Sequence, residues 1–362
     1  MTVKETTNAV EIDVEEFYGE KALRWYQLAA RNEVAVHLQN GIKRLVIELP
    51  TGAGKTLTLA CAMSYEPIRQ ALGVKEGKPL RVLFIALTHR LLSQAELTFT
   101  NESNVDLICQ SAFSDIPEKV LKEGWDVTVI DECQHESVSS IQYKLESLGD
   151  KPIIGLSATV DRADGTLIKF EKFIAPLSRQ QAVEEGYLAE TDLYSFVDAP
   201  EKDKSNIVKD ILSSYHSEMQ NTIVFMRTKK EAGIINEFLK VLGHNPVFLD
   251  NQSPAEVNII LNDFSAGKYD FIVNCGRLSE GIDVKGCTSV VLGKTIGSYP
   301  LLNQIVGRAS RPDSPCKVWE IINPISGYNL DSTAVVGTPR THKLIYKKNK
   351  AWVEEQFDYT AG

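Results

Sequence analysis

Positions 51–56 read Thr-Gly-Ala-Gly-Lys-Thr, between an apolar run at 45–48 and a helix-permissive run at 57–63. That order predicts a strand, a glycine loop and a helix. The glycines allow the loop to point its N–H groups at phosphate oxygens, and the positive end of the following helix adds to the attraction. We expect Lys55 to reach the β- and γ-phosphates of a nucleotide and Thr56 to hold Mg²⁺ through its hydroxyl.

Leu49 departs from the strict phosphate-loop pattern, which has a glycine at that place. One alternative therefore stays open at this point, namely a glycine-rich turn with a threonine that caps the helix.

A glutamine upstream bears on the choice. Gln27 lies in a stretch, 21–38, whose apolar spacing predicts a helix. Its amide can pair with the amino and ring-nitrogen edge of adenine, although an exposed helix glutamine is the simpler interpretation of this residue alone.

Two adjacent carboxylates, Asp131 and Glu132, follow a buried-type strand at 127–130. We expect Asp131 to bind Mg²⁺ through water and Glu132 to orient and deprotonate the attacking water. An acidic junction between strand and loop is the alternative. Another apolar strand, at 152–156, ends in Ser157 and Thr159, whose hydroxyls can hydrogen-bond the acidic loop.

A strand at 81–87 ends in Thr88-His89-Arg90, after which a helix is predicted. Polar groups at such a junction face the crevice of an open parallel sheet. Thr88, Arg90 and the helix N–H groups are therefore candidates for binding a nucleic-acid phosphate. An ordinary helix cap explains the same residues equally well.

The second half alternates strands and helices from Leu193 onward, which predicts a second parallel sheet with helices on both faces. Near its end, Arg308 and Arg311 are three residues apart and share one helix face. A guanidinium keeps its charge and binds phosphate through two parallel hydrogen bonds. The alternative for this pair is an exposed basic helix end.

The composition limits the class of protein. A chain of 362 residues is long enough for two domains, and no apolar run approaches the roughly 20 residues of a membrane helix. The acidic N-terminus does not resemble a signal peptide, and six scattered cysteines without a Cys-x-x-Cys pair argue against a zinc module. We therefore expect a cytoplasmic protein, in the host cytoplasm if its source is viral. With a net charge of −9, a nucleic-acid partner must meet a local basic surface.

Gln27, the loop at 51–56, Asp131-Glu132-Cys133 and Ser157-Ala158-Thr159 follow one another in the order found in superfamily 2 helicases, which the chain resembles. That superfamily does not require the first glycine of the loop. Residues 276–283 resemble helicase motif V and residues 304–311 resemble motif VI, while the connecting segment resembles that of UvsW-like, RadD-like and type III restriction motors. One departure is Gln134, where relatives often have histidine.

The resemblance implies two tandem RecA-like domains, each a parallel sheet with helices on both faces, with ATP in the cleft between them. The expected boundaries are an acidic arm at 1–20, domain 1 at 21–175, a connector at 176–192, domain 2 at 193–330 and a tail at 331–362.

The resemblance also implies roles for individual residues. Catalysis is expected from Lys55, Glu132, Arg308 and Arg311, with Arg311 as the arginine finger. Nucleotide binding is expected from Gln27, Thr51, Gly52, Ala53, Gly54, Lys55, Thr56, Gly281 and Asp283, and Mg²⁺ binding from Thr56 and Asp131. Coupling is assigned to Gln134, Ser157, Thr159 and Gln304. Nucleic-acid contacts, mostly to the backbone, are assigned to Thr88, Arg90, Arg227 and Arg277.

The expected activity is that of an ATP-dependent helicase or translocase on single-stranded or branched DNA, in recombination, repair or replication. An RNA helicase is the runner-up, and a nucleic-acid-binding module with a decayed ATPase is the alternative from another class. The small size suggests a protein partner that supplies specificity. In the tail, the basic stretch at 340–350 and Trp352 suit either a nucleic-acid edge or, preferred here, a segment that docks on domain 2.

Overall fold

The computed structural model describes residues 17–18, 21–100, 104–133, 149–158, 170–197, 204–276, 278, 284, 286–294, 302, 305–307, 315–322, 332–336, 339–348 and 351–356. Within these ranges the chain forms two α/β units, each built on one large sheet. A short antiparallel pair, β1 (Phe17–Tyr18) and β2 (Lys21–Ala22), precedes the first unit.

The first unit has six described strands and five described helices. The strands are β3 (Arg44–Glu48), β4 (Leu80–Ala86), β5 (Val105–Ser111), β6 (Val127–Asp131), β7 (Ile153–Ser157) and β8 (Lys172–Ile174). The helices are α1 (Trp25–Gln39), α2 (Lys55–Ser64), α3 (Glu66–Ala71), α4 (His89–Phe99) and α5 (Glu118–Glu123). The strand order is β5-β4-β6-β7-β3-β8, and every pair of neighbours is parallel.

Apolar runs in the sequence produce this sheet because a parallel sheet is covered on both faces. Successive residues of β3 enter different cores: Leu45 and Ile47 pack in one cluster, and Val46 packs in the other. The carboxyl ends of β6, β7 and β3 are adjacent, since the three strands are neighbours. The predicted acids, the predicted hydroxyls and the glycine loop therefore meet at one edge.

The second unit repeats the plan with a longer sheet. Its described strands are β9 (Thr191–Val197), β10 (Thr222–Met226), β11 (Pro246–Leu249), β12 (Phe271–Asn274), β13 (Ser289–Gly293), β14 (Cys316–Ile322), β15 (Thr341–Lys348) and β16 (Ala351–Gln356). The described helices from residue 179 onward are α6 (Arg179–Glu184), α7 (Ser205–Tyr215), α8 (Lys229–Val241), α9 (Pro254–Ser265) and α10 (Thr333–Val336). The order is β11-β12-β10-β13-β14-β9-β15-β16, with only β15 and β16 antiparallel among these strands. The predicted fold class is confirmed.

Some expected element bounds were wrong. The first long helix starts at Trp25 rather than Lys21, because Lys21 and Ala22 pair with Tyr18 and Phe17 as a strand. Of the expected arm at 1–20 the structure describes Phe17 and Tyr18 alone, so the arm stays a prediction. Strand β9 starts at Thr191, two residues before the predicted start at Leu193, because Thr191 pairs with Cys316 of β14.

Residues 341–356 belong to the second sheet. Strand β15 pairs with β9 in parallel, and β16 folds back against β15. The Trp352 indole packs edge-to-face on Phe196 at 5.2 Å between ring centroids and donates to Asp210 at 3.1 Å. Lys347 lies 4.6 Å from the Trp352 ring, so this basic residue covers the docked indole. The docking interpretation of the tail fits these contacts.

A buried carboxylate joins three segments of the second unit. Glu320 in β14 accepts hydrogen bonds from the Ser195 hydroxyl at 2.7 Å and from the Ser332 N–H and hydroxyl at 2.8 and 2.7 Å. Ser195 Oγ also lies 3.0 Å from His342 Nε2 in β15. All four side chains are buried. Because buried polar groups must be paired, this network favours one arrangement of the segments.

Replacing Glu320 with leucine removes the shared acceptor and leaves the Ser195 and Ser332 donors buried without it. We expect the free energy of unfolding to fall by about 3 kcal/mol, at about 1–3 kcal/mol for each unsatisfied buried group. Urea unfolding measures this change. Glu355→Leu, at an exposed position of the same sheet, is the control; equal midpoints for the two variants would contradict the prediction.

Candidate nucleotide site and nucleic-acid edge

The glycine loop connects β3 to α2 as predicted. Gly52 and Gly54 have φ values of +92° and +85°, in the left-handed region that glycine adopts without strain. Leu49, the residue that departs from the strict pattern, is fully buried, and its N–H donates to the Ser157 carbonyl at 3.1 Å. An apolar side chain therefore fits this position, because it attaches the start of the loop to the core and to β7.

The first turn of α1 supports the loop from the other side. The Tyr26 hydroxyl donates to the Ala53 carbonyl at 2.8 Å, and the Tyr26 ring is fully buried. Burial, the largest influence, raises the pKa of this phenol, so it remains a neutral donor. Sequence reasoning gave no role to Tyr26, and its position beside Gln27 was the only available signal.

Gln27 lies against the phosphate loop rather than on an exposed helix face, and 2% of its surface is exposed. Its Oε1 accepts the Arg24 N–H at 2.9 Å, as in a capping box. Its Nε2 lies 3.0 Å from where a side-chain carbon on Gly54 would be. A side chain at Gly54 would therefore meet Gln27 as well as suffer backbone strain.

The acidic pair lies at the carboxyl end of β6. Asp131 is buried, and Glu132, with a φ of +51°, adopts a left-handed conformation that is uncommon outside glycine. The Glu132 N–H donates to Asp131 Oδ1 at 3.0 Å. Cys133 packs where Gly155 of β7 has no side chain, since a carbon there would lie 2.6 Å from its sulfur. This packing holds the acidic turn next to β7.

The electrostatics of the acidic turn suit a cation. Burial, followed by the charge of Glu132, raises the pKa of Asp131 to about 7, while Lys55 and the Glu132 amide oppose that rise. The Lys55 ammonium therefore acts on the Asp131 carboxyl from the start of α2. A divalent cation would supply the positive charge that this buried carboxyl needs in order to stay ionised.

A hydroxyl in the loop is also suited to a ligand. The Thr51 Oγ1 is buried, and within the described part of the chain it has no hydrogen-bond partner. Buried polar groups are normally paired in native proteins. A phosphate oxygen in the loop would satisfy this hydroxyl, so the residues present fit a nucleotide with its Mg²⁺.

The second unit touches the phosphate loop at Gly307. Residues 305–307 are helical, and Ile305 and Val306 are buried in the second core. A side-chain carbon at Gly307 would lie only 2.6 Å from both Cβ and Cγ2 of Thr51. The two units thus meet directly over the loop, and only glycine permits the approach.

Other predicted residues lie outside the described residues and keep the standing of predictions. They are Gln134, Thr159, Arg277, Gly281, Asp283, Gln304, Arg308 and Arg311. Ser157 is described: it is buried at the end of β7, one strand from the acidic turn.

Three predicted nucleic-acid contacts are described, and each already has a protein partner. The Thr88 hydroxyl accepts the Leu91 N–H at 3.3 Å and so caps α4. Arg90 Nη1 donates to Asn258 Oδ1 of α9, in the second unit, at 3.1 Å. Arg227 Nη2 lies 3.6 Å from Glu231 Oε1, with an exposed side chain. Arg90 and Arg227 follow β4 and β10, so both lie beyond carboxyl ends of strands.

Two parallel α/β units, the first with a phosphate-loop sequence between strand and helix, define the class of tandem RecA-like proteins. Family models agree: residues 20–111 match "Type III restriction enzyme, res subunit" and residues 203–313 match "Helicase conserved C-terminal domain". The chain belongs to the superfamily 2 helicases.

Relatives are distant in sequence. A Saccharomyces cerevisiae protein named as an ATP-dependent helicase, IRC3, is 22% identical over 81% of this chain and 50% of its own. An HsdR-subunit fragment of a type I restriction enzyme from Vibrio vulnificus YJ016 superposes with a TM-score of 0.72, at 20% identity, over 91% of this chain and 70% of its own. The restriction–modification enzyme LlaBIII, bound to DNA, gives 0.65 at 18% identity over 87% and 29%. The chain spans about half the length of the curated relatives it matches.

None of the helices in the described ranges combines the length and the apolar character needed to cross a membrane.

Tyr26→Phe removes the donor to the Ala53 carbonyl and leaves that buried acceptor unsatisfied, at a cost of about 1–3 kcal/mol. We expect the affinity for a fluorescent ATP analogue to fall about tenfold, which corresponds to about 1.4 kcal/mol. Tyr346→Phe, whose hydroxyl bonds the exposed Glu355, is the matched control. Unchanged affinity in Tyr26→Phe would show that the loop needs no support from α1.

Gly307→Ala places a methyl group in contact with Thr51 and prevents the two units from meeting over the loop. We expect ATP turnover to fall at least tenfold, with the circular dichroism spectrum unchanged. Gly233→Ala is the control, because that glycine also lies in a helix of the second unit and has open space around it. Parent-like turnover in Gly307→Ala would contradict the contact.

Proposed function

We propose that the protein is a nucleic-acid-stimulated ATPase that moves along or unwinds DNA, with ATP bound between the two units. The observation that carries the proposal is the contact of Gly307 with Thr51 over the phosphate loop. Arg308 directly follows Gly307 in the sequence, and Arg311 lies three residues further on.

In this proposal the first unit binds and positions the triphosphate. Lys55 neutralises the β- and γ-phosphate oxygens, and Gln27 reads the adenine edge with the remaining capacity of its amide. Mg²⁺, when bound, neutralises phosphate oxygens, and Thr56 and Asp131 would hold it. Glu132 orients the attacking water and accepts its proton.

The second unit completes the site. Arg311, assisted by Arg308, stabilises the charge on the transferring phosphoryl group; such arginines are worth about 10³–10⁵ in rate in related NTPases. Asp283 binds the ribose hydroxyls, and Gly281 allows its loop to approach the nucleotide. Hydrolysis therefore requires contact between the two units. Their separation after hydrolysis shifts one unit along the nucleic acid.

We assign the coupling between ATP hydrolysis and movement on the nucleic acid to four residues, namely Gln134, Ser157, Thr159 and Gln304. Thr88, Arg90, Arg227 and Arg277 contact the nucleic-acid backbone. Such contacts position the protein without reading sequence, so binding is expected to be sequence-tolerant and salt-sensitive.

DNA is preferred over RNA as the substrate. The DNA-bound restriction–modification enzyme that shares this fold supports DNA, as does the restriction-enzyme family model over residues 20–111. An RNA helicase is the alternative. Intact Lys55 and Glu132, and Arg311 in the sequence, argue against a module with a decayed ATPase. A protein partner that supplies specificity is part of the proposal, and a relative named as a subunit of a type I restriction enzyme supports it.

Lys55→Ala removes the phosphate-binding ammonium and is expected to abolish ATP turnover while nucleic-acid binding persists. The measurement is steady-state phosphate release with single-stranded DNA, duplex DNA, forked DNA and RNA. The parent chain is expected to respond several-fold, most strongly to single-stranded or forked DNA. Lys75→Ala, at an exposed lysine in the loop after α3, is the control. Parent-like turnover in Lys55→Ala, or a flat response of the parent to all four nucleic acids, would contradict the proposal.

A further inference from the structure

An exposed aromatic side chain, Phe113, follows β5, which is an outermost strand of the first sheet. Phe113 leaves 68% of its surface exposed, compared with 38% for Trp25 and 44% for Phe173. A phenyl ring left in water forgoes about 1.5–3 kcal/mol that burial would provide. Phe113 belongs to none of the hydrophobic clusters formed by the described residues.

The loop that carries Phe113 is held by many hydrogen bonds. Gln110 is 5% exposed, and its Nε2 lies 2.7–3.2 Å from backbone or hydroxyl oxygens of Ser111, Ser114 and Asp115. The Phe113 N–H donates to Ser111 Oγ at 3.2 Å. Just before it, the Ala112 N–H bonds the Ala86 carbonyl at 2.9 Å, and the Ala112 side chain is fully buried. The ring is therefore presented to solvent by an ordered turn.

The position of this turn is set by the strand register. Ala86 of β4 is paired with Ser111 of β5. Thr88 lies two residues after Ala86, and Phe113 lies two residues after Ser111. Both residues therefore follow the carboxyl ends of neighbouring strands, which lie about 4.8 Å apart. Arg90, a predicted phosphate contact, lies two residues after Thr88. The turn that carries Phe113 therefore follows the same end of the sheet as Thr88 and Arg90, which are predicted nucleic-acid contacts.

The surroundings of the ring favour a base over a protein side chain. Its neighbours in the turn, Ser111 and Ser114, are polar, and exposed apolar residues singly placed do not make a protein-binding patch. A single exposed aromatic ring suits an unstacked base, because every base has a face that stacks on such a ring. Duplex bases already stack on each other.

We propose that Phe113 stacks on a base of single-stranded nucleic acid at the carboxyl edge of the first sheet. This inference rests on the proposed function and adds to it a contact with a base, whereas the predicted arginine contacts are with the nucleic-acid backbone.

The test compares Phe113→Ala with the parent chain on two single-stranded oligonucleotides of equal length, one normal and one with abasic sites throughout. Affinity is measured by fluorescence anisotropy with the full chain. Stacking is worth about 1–3 kcal/mol per base, so the normal strand should bind about tenfold more weakly to the variant. The abasic strand should bind the variant and the parent alike.

Phe173→Ala is the matched control, since Phe173 is an exposed phenylalanine on β8, at the opposite edge of the same sheet. It should bind both strands within about twofold of the parent. Phe113→Trp should keep the parent affinity and should show quenched fluorescence with the normal strand only, even if Phe113→Ala disturbs the turn.

The proposal is overturned if Phe113→Ala and Phe173→Ala bind the normal strand equally, or if Phe113→Ala loses as much affinity for the abasic strand. A parent chain that binds neither strand, without ATPase stimulation, would overturn the proposed function together with this inference. A parent chain that binds normally while Phe113→Ala is neutral would overturn this inference alone.

Discussion

The proposed site depends on the close approach of Gly307 to Thr51, which leaves no room for a side chain on the glycine. This approach joins a helical segment of the second unit to the phosphate loop of the first. Neither unit alone carries the full set of groups proposed for hydrolysis. Because the loop residue in contact has a buried hydroxyl that lacks a partner among the described residues, the contact lies beside the place where a phosphate would be held.

The loop depends on supports from three directions. Tyr26 holds the Ala53 carbonyl from α1, Leu49 attaches the start of the loop to the core and to β7, and the left-handed glycines provide the turn itself. At the end of β6, burial and the charge of Glu132 raise the pKa of Asp131 to about 7, so this carboxyl lacks compensating positive charge. Several contacts thus hold the backbone of the loop, and a metal–nucleotide ligand would supply the positive charge that the buried carboxyl lacks.

The sequence predicted well whatever depends on local chemistry. The positions of the glycine loop before Lys55 and of the acids after an apolar strand were predictable, because strand, loop and helix are consecutive in the chain. The sequence did not reveal the role of Tyr26, since its hydroxyl acts through a tertiary hydrogen bond. The pairing of β15 with β9 was likewise hidden, because a basic strand shows no apolar pattern until Trp352 and Phe196 are seen together. The arginines of the second unit remain predictions from sequence.

The central claim is that the second unit supplies charge to a phosphate held by the first. The most direct measurement is single-turnover ATP hydrolysis by Arg311→Ala, beside calorimetric titration of the same variant with a non-hydrolysable ATP analogue. The claim predicts analogue binding within about threefold of the parent and, since such arginines are worth about 10³–10⁵ in rate, hydrolysis at least a hundredfold slower. Hydrolysis at the parent rate in Arg311→Ala would contradict it.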